Sequence, residues 1–203
     1  MYSYEAIKIA RPFLDSEEKK ILKAMKVFPQ NYKTLICVGC GPAAYFNLAL
    51  NKKLKYVGID PWITLFKHMI RALYINKKLG AVFFKRKIDR LNEVLNKFQG
   101  PKIFIFTFNI ANYIPDLAEK LSKIVDKNDL IIISTWSKTK SALNLRKEYF
   151  TYLNKLINMN RPFDYSLKLN LNKITKELNF QFKKKIIKDK YNTCLFIKVL
   201  ENE

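Results

Sequence analysis

The sequence predicts an α/β fold, a mostly parallel seven-stranded sheet with helices on both faces and a C-terminal antiparallel hairpin. Three observations carry that expectation. Short β-branched or aromatic runs alternate along the chain with stretches of helical periodicity. The first of those runs is continuously apolar, as a strand covered on both faces must be. The last two are separated only by a short polar turn, the pattern of an antiparallel pair.

Taken in order, residues 4–26 read as one or two helices. Ile7, Ile9 and Phe13, then Ile21, Leu22 and Met25, are spaced between charges, with Asp15 or Ser16 as an N-cap ahead of Glu17 and Glu18. Residues 34–38 form the first strand, which runs into Gly39-Cys40-Gly41, and Pro42 suits the first turn of a helix reaching about Asn51. Residues 56–59 form a second strand closed by Asp60-Pro61, followed by a helix over 63–78 that ends at Gly80. A third strand spans 81–88 and a helix 89–98, stopped by Gly100-Pro101. The run over 102–109 is β-branched and aromatic and so reads as a fourth strand. A helix over 116–125 and a fifth strand over 130–135 follow. Residues 141–169 form a long helical excursion interrupted at Arg161-Pro162, and 172–179 a last helix. Strands over 182–188 and 193–200, joined by 189–192, complete the sheet.

With 203 residues, 49% of them hydrophobic, the chain has material for one sizeable core, and no repeat or linker divides it. It reads as one domain over 1–203, with a helical cap over 1–33 and the insertion over 141–169 as a substrate lid. No segment has the roughly 20 apolar residues of a membrane-spanning helix. The N-terminal stretch lacks the apolar core of a signal peptide, so a cytoplasmic location is expected. Cys37, Cys40 and Cys194 are then expected as reduced thiols. The Cys37-x-x-Cys40 spacing lacks the further ligands that zinc requires and reads as buried thiols. The net charge of +21 suggests an anionic partner such as nucleic acid. Nearly all of the excess is lysine, however, scattered over turns and helix faces, whereas arginine is the residue that bidentate phosphate recognition favours.

The chemistry concentrates in residues 34–62. A glycine-bearing turn between a buried strand and a helix lets backbone approach a ligand without Cβ obstruction, and the helix N-terminus offers unbonded N–H groups. An acidic residue about 20 positions later, ending the next strand, can accept both hydroxyls of a ribose. Gly39, Gly41 and Asp60 satisfy that layout.

At Val38-Gly39-Cys40-Gly41-Pro42-Ala43 and Val57-Gly58-Ile59-Asp60 the chain resembles the class I S-adenosylmethionine-dependent methyltransferases, which have a Rossmann-like fold, and within them the group acting on small molecules. The segment from Phe108 through Asn109 to Pro115-Asp116 is similar to that family's fourth-strand motif. The resemblance implies S-adenosyl-L-methionine as cofactor, with Gly39 and Gly41 along its methionine and ribose part. It also implies Asp60 on the ribose hydroxyls, Trp62 and Asp89 near the adenine, and Asn109 beside the methionine moiety and methyl group. Asn112, Tyr113 and Trp136 would face the acceptor, Tyr113 and Asn112 being the candidate catalytic residues; no metal is implied. A base is needed only if the nucleophile arrives protonated. Asp116 reads as a helix N-cap and His68 as an ordinary mid-helix residue. The family usually carries an acid two positions before the first glycine, where this chain has Cys37, and a third glycine where it has Ala43.

The expected activity is methyl transfer to a small-molecule acceptor. An RNA acceptor held by the basic surface, or a non-catalytic nucleotide- or RNA-binding module on the same fold, are the alternatives. Tyr2, Tyr4, Tyr149, Phe150, Tyr152, Arg161 and Phe163 either form a selective lid or are core.

Overall fold

The computed structural model describes residues 2–41, 44–60, 81–84, 95, 97–107, 110–157 and 170–200. The expected helix over 63–78 and nearly all of the one over 89–98 lie outside these residues. Seven strands form one sheet: β1 (Thr34–Val38), β2 (Lys55–Ile59), β3 (Ala81–Phe84), β4 (Lys102–Phe106), β5 (Leu130–Trp136), β6 (Phe182–Lys188) and β7 (Asn192–Val199). Their order is β3-β2-β1-β4-β5-β7-β6, with β7 antiparallel to both neighbours and the other pairings parallel. The strand order therefore reverses between β1 and β4, and in an open α/β sheet that switch point is where a crevice opens at the carboxyl ends.

The described helices are α1 (Tyr2–Val27), α2 (Phe46–Asn51), α3 (Leu117–Ile124), α4 (Lys140–Ile157) and α5 (Leu171–Lys176). One sheet face buries Leu35, Cys37, Ile105 and Ile132 beneath Ile21 and Ala24 of α1 and Leu48 of α2. The opposite face buries Ile36, Val38, Phe104 and Ile133 beneath Leu117 and Leu121 of α3 and Ile174 of α5. Every residue of β1 is buried, which is why its sequence shows a continuous apolar run instead of alternation.

Several element ends differ from expectation, each for a local reason. The first segment is one continuous helix carrying Pro12 inside it, and neither Asp15 nor Ser16 caps a second one. Asp15 instead pairs with Arg11 one turn back, at 2.9 Å, and Ser16 donates to Asp189. β4 ends at Phe106: the Ile110 N–H donates to the Thr107 carbonyl at 2.9 Å, turning the chain into a short 3-10 helix over Ile110–Tyr113. Asp116 precedes α3 in a left-handed conformation (φ 52°), and its carboxylate caps nothing; its carbonyl takes the Lys120 amide instead. The expectation that it serves as a side-chain N-cap is therefore corrected. The last helix begins one residue earlier than expected because Asn170 caps it, its side chain accepting from the Lys173 N–H at 3.1 Å, and it ends at Lys176.

Candidate active site

The turn after β1 is built onto the end of β2. Gly39 and Gly41 adopt φ of +71° and +47°, values that glycine reaches without strain. The N–H groups of Gly39 and Cys40 donate to the Ile59 carbonyl at 2.8 and 3.3 Å, and the Gly41 N–H donates to Asp60 Oδ2 at 2.8 Å. Asp60 is buried, and its own N–H is held by the Phe84 carbonyl of β3 at 3.1 Å. From the other side Ile110 closes in. A Cβ on Gly39 would stand 3.0 Å from its Cγ1, so the turn after β4 approaches this glycine as no other residue would allow. Gly39, Gly41, Asp60 and the turn over Ile110–Tyr113 thus converge at the switch point.

Within that turn, Asn112 is half-buried with its Nδ2 buried and without a hydrogen-bond partner among the described residues, while Tyr113 is half-buried. Trp62, Asp89, Asn109 and His68 lie outside the described residues, as do Pro42, Ala43, Arg161 and Phe163. Trp136, expected to face an acceptor, ends β5 in an aromatic cluster, its ring 4.3 Å from that of Phe13 and 6.3 Å from that of Tyr149. Phe150 is buried in the same cluster, and Tyr149 and Tyr152 pack against it, so these three aromatics of α4 contribute to core. Trp136 also borders a cleft of about 900 Å³ with Ser137, Arg146 and Asp189. The three cysteines are free and buried. Burial above all pushes the Cys37 thiol well above its ordinary range, with Cys40 and Glu17 adding to the shift. Among the described residues no cluster of three or more His, Cys, Asp or Glu side chains is placed to hold a metal ion.

Sequence reasoning passed over Glu17. It lies on α1 with no exposed surface, and its Oε2 accepts from Thr107 Oγ1 at 2.7 Å. Burial raises its carboxyl from 4.5 to about 7, against the lowering influence of Ser134, Thr107 and Lys20. Nearby, the buried Lys20 ammonium donates to Asp189 Oδ2 at 2.7 Å, Ser16 Oγ at 3.0 Å and the Asn192 carbonyl at 3.1 Å. Burial alone would raise the Asp189 carboxyl, but hydrogen bonds from Lys20, Ser16 and two backbone amides hold it down to about 2. The sequence did contain a signal. Ala10, Phe13, Glu17, Ile21 and Ala24 follow one another at three- and four-residue steps, so Glu17 occupies the buried stripe of the helix.

No family profile matches the sequence, and no curated protein does. Among solved structures, the chain is similar to a protein described as an S-adenosyl-L-methionine-dependent methyltransferase from Methanococcus maripaludis. The TM-score is 0.56 at 14% identity, over 99% of this chain and 93% of that one. It is also similar to an O-methyltransferase family protein from Burkholderia thailandensis, with a TM-score of 0.59 at 14% identity over 100% of this chain and 59% of that one. A third is the magnesium protoporphyrin IX methyltransferase of Synechocystis with bound S-adenosylhomocysteine, with a TM-score of 0.53 at 13% identity over 95% and 84%. The seven-stranded sheet with its antiparallel end is thus the Rossmann-like fold of class I S-adenosylmethionine-dependent methyltransferases.

No described helix is long and apolar enough to cross a membrane. Exposed lysines occur on many of the described elements, among them Lys8, Lys19, Lys23 and Lys26 on α1, Lys52 and Lys53 in the turn before β2, Lys147 and Lys155 on α4, and Lys183, Lys184 and Lys185 on the edge strand β6.

Proposed function

We propose that the chain transfers a methyl group from S-adenosyl-L-methionine to a small-molecule acceptor. The observation that carries this reading is the hydrogen bond from the Gly41 amide to the Asp60 carboxylate, which joins the two halves of the ligand-binding motif at the switch point of the sheet. The donor set fits an adenosyl ligand. Two glycines with positive φ keep side chains out of the turn, and a buried carboxylate ends the neighbouring strand where ribose hydroxyls are best accepted. In this reading Gly39 and Gly41 line the methionine and ribose part, and Asp60 takes the ribose. Trp62, Asp89 and Asn109 complete the adenine and methionine contacts, and Asn112 and Tyr113 face the acceptor.

The bound cofactor supplies an electrophilic methyl group on a sulfonium, so the chain's own task is mostly orientation. Asn112 suits that task, because its amide Nδ2 is buried without a partner among the described residues and can donate to an acceptor oxygen. Tyr113 would take a proton only from an acceptor that arrives protonated. The dispersal of the described lysines over separate elements supports a small acceptor over RNA.

Calorimetry with S-adenosylmethionine tests the reading. Binding with a submillimolar Kd, abolished by Asp60→Ala, is expected. An unaltered affinity in that variant would remove Asp60 from the site, and no binding by the parent chain would leave a non-catalytic module.

A further inference from the structure

We infer that Glu17 is the anionic partner of a primary ammonium group, the one carried by the amino-acid end of the adenosyl ligand. This rests on the function proposed above and goes on to assign a residue of α1 to the site.

The placement follows from strand register. Val38 of β1 pairs with Phe106 of β4, and Phe106 with Ile133 of β5, so the next residues along, Gly39, Thr107 and Ser134, stand side by side. Ser134 in turn pairs with Cys194 of β7. Side chains alternate along a strand, and Cys37, Ile105, Ile132 and Cys194 belong to the face under α1. The row of Gly39, Thr107, Ser134 and Cys194 is therefore the topmost layer of that same face, at the carboxyl ends. Glu17 bonds directly to this row through Thr107, one strand spacing, about 5 Å, from Gly39.

Two observations point to a ligand. The Glu17 carboxyl is completely buried, and its Oε1 has no hydrogen-bond partner among the described residues. Lys20, the cation that lowers it among the described residues, is committed to Asp189, Ser16 and Asn192. A carboxyl in that condition is costly to the fold and accepts a cationic donor readily. The position usually acidic in the resembling family is here Cys37, a buried thiol whose own shift registers the charge of Glu17. The carboxylate missing from β1 is thus supplied from α1. Lys20 on α1, Cys37 on β1 and Cys194 on β7 are the titratable groups that face Glu17 among the described residues. Both thiols are pushed up by burial and stay neutral across the range tested.

The test compares three ligands by calorimetry on the full chain. S-adenosylhomocysteine carries the ammonium and a carboxylate. Decarboxylated S-adenosylhomocysteine keeps only the ammonium, and 5′-methylthioadenosine has neither. In Glu17→Gln the first two are expected to lose about tenfold or more in affinity at about pH 8, the third less than about twofold. Should the variant fold poorly, the parent chain carries the same information. Its affinity for the two ammonium ligands is expected to fall roughly tenfold per pH unit below about pH 7, with that for 5′-methylthioadenosine flat. Equal losses for all three ligands, or an unchanged affinity for S-adenosylhomocysteine, overturn the assignment of Glu17. Failure of the parent chain to bind any of them overturns instead the reading on which it rests.

Discussion

Burial lifts the Glu17 carboxyl from 4.5 to about 7, outweighing what Ser134, Thr107 and Lys20 do to lower it. The folded chain therefore holds that proton more tightly than the unfolded chain. The stability this provides is fully present below 4.5 and is lost as pH rises through 7. The loss amounts to about 3 kcal/mol. Glu17→Gln has no such titration and is expected to gain stability relative to the parent between about pH 4.5 and pH 8, read from urea denaturation. Parallel pH profiles for the two proteins would contradict a buried ionisation at this residue. Asp129, another buried acid raised to about 6 chiefly by burial, titrates in both chains and cancels from the comparison. Gly39, Gly41 and Asp60 were legible in the sequence because their relation is local, one turn and one strand apart. Glu17 was visible only as an acid on an apolar stripe. Thr107, which donates to it, and Ser134, which lowers its carboxyl, come from strands far along the chain, and no short-range pattern connects them to it.

Among the elements, β2 carries a constraint of its own. A Cβ on Gly58 would meet Phe83 Cδ1 at 2.6 Å and Cys40 Sγ at 2.9 Å, the first a ring packed beside it on β3 and the second part of the turn after β1. Gly58→Ala is expected to cost about 1–3 kcal/mol by overpacking, measured as a lowered urea midpoint; a midpoint unchanged from the parent would mean that the β2–β3 seam yields freely. The strands were the most readable elements, since β1, β5 and both arms of the hairpin fall within a residue of the bounds expected from the sequence. Element ends were less so. The continuity of α1 through Pro12 depends on tertiary packing of Phe13 and Ile21, both fully buried, and the end of β4 on a single backbone hydrogen bond. Asp116 has the composition of a cap, but its left-handed backbone keeps the carboxylate from serving as one.

Across the molecule, sheet order and charge distribution were the least readable features. That β7, and not β6, lies against β5 is nevertheless physically sensible. The second arm of the hairpin is almost wholly buried, whereas Lys183 to Lys185 place β6 at the edge, where lysines discourage pairing with other chains. With its described lysines distributed over several elements, the protein is expected to bind generic RNA only electrostatically. Affinity should fall by orders of magnitude between about 50 and 200 mM salt and be indifferent to S-adenosylhomocysteine. Filter binding that retained affinity at the higher salt, or that responded to the ligand, would favour an RNA acceptor. The tie between Lys20 and Asn192 spans 172 residues of chain. During synthesis the Lys20 ammonium meets Asp189 and Asn192 only once the hairpin has emerged, although Ile21 and Ala24 of the same helix already pack against β1 and α2. A contact of that sequence separation has a high contact order, so helix formation alone cannot close it.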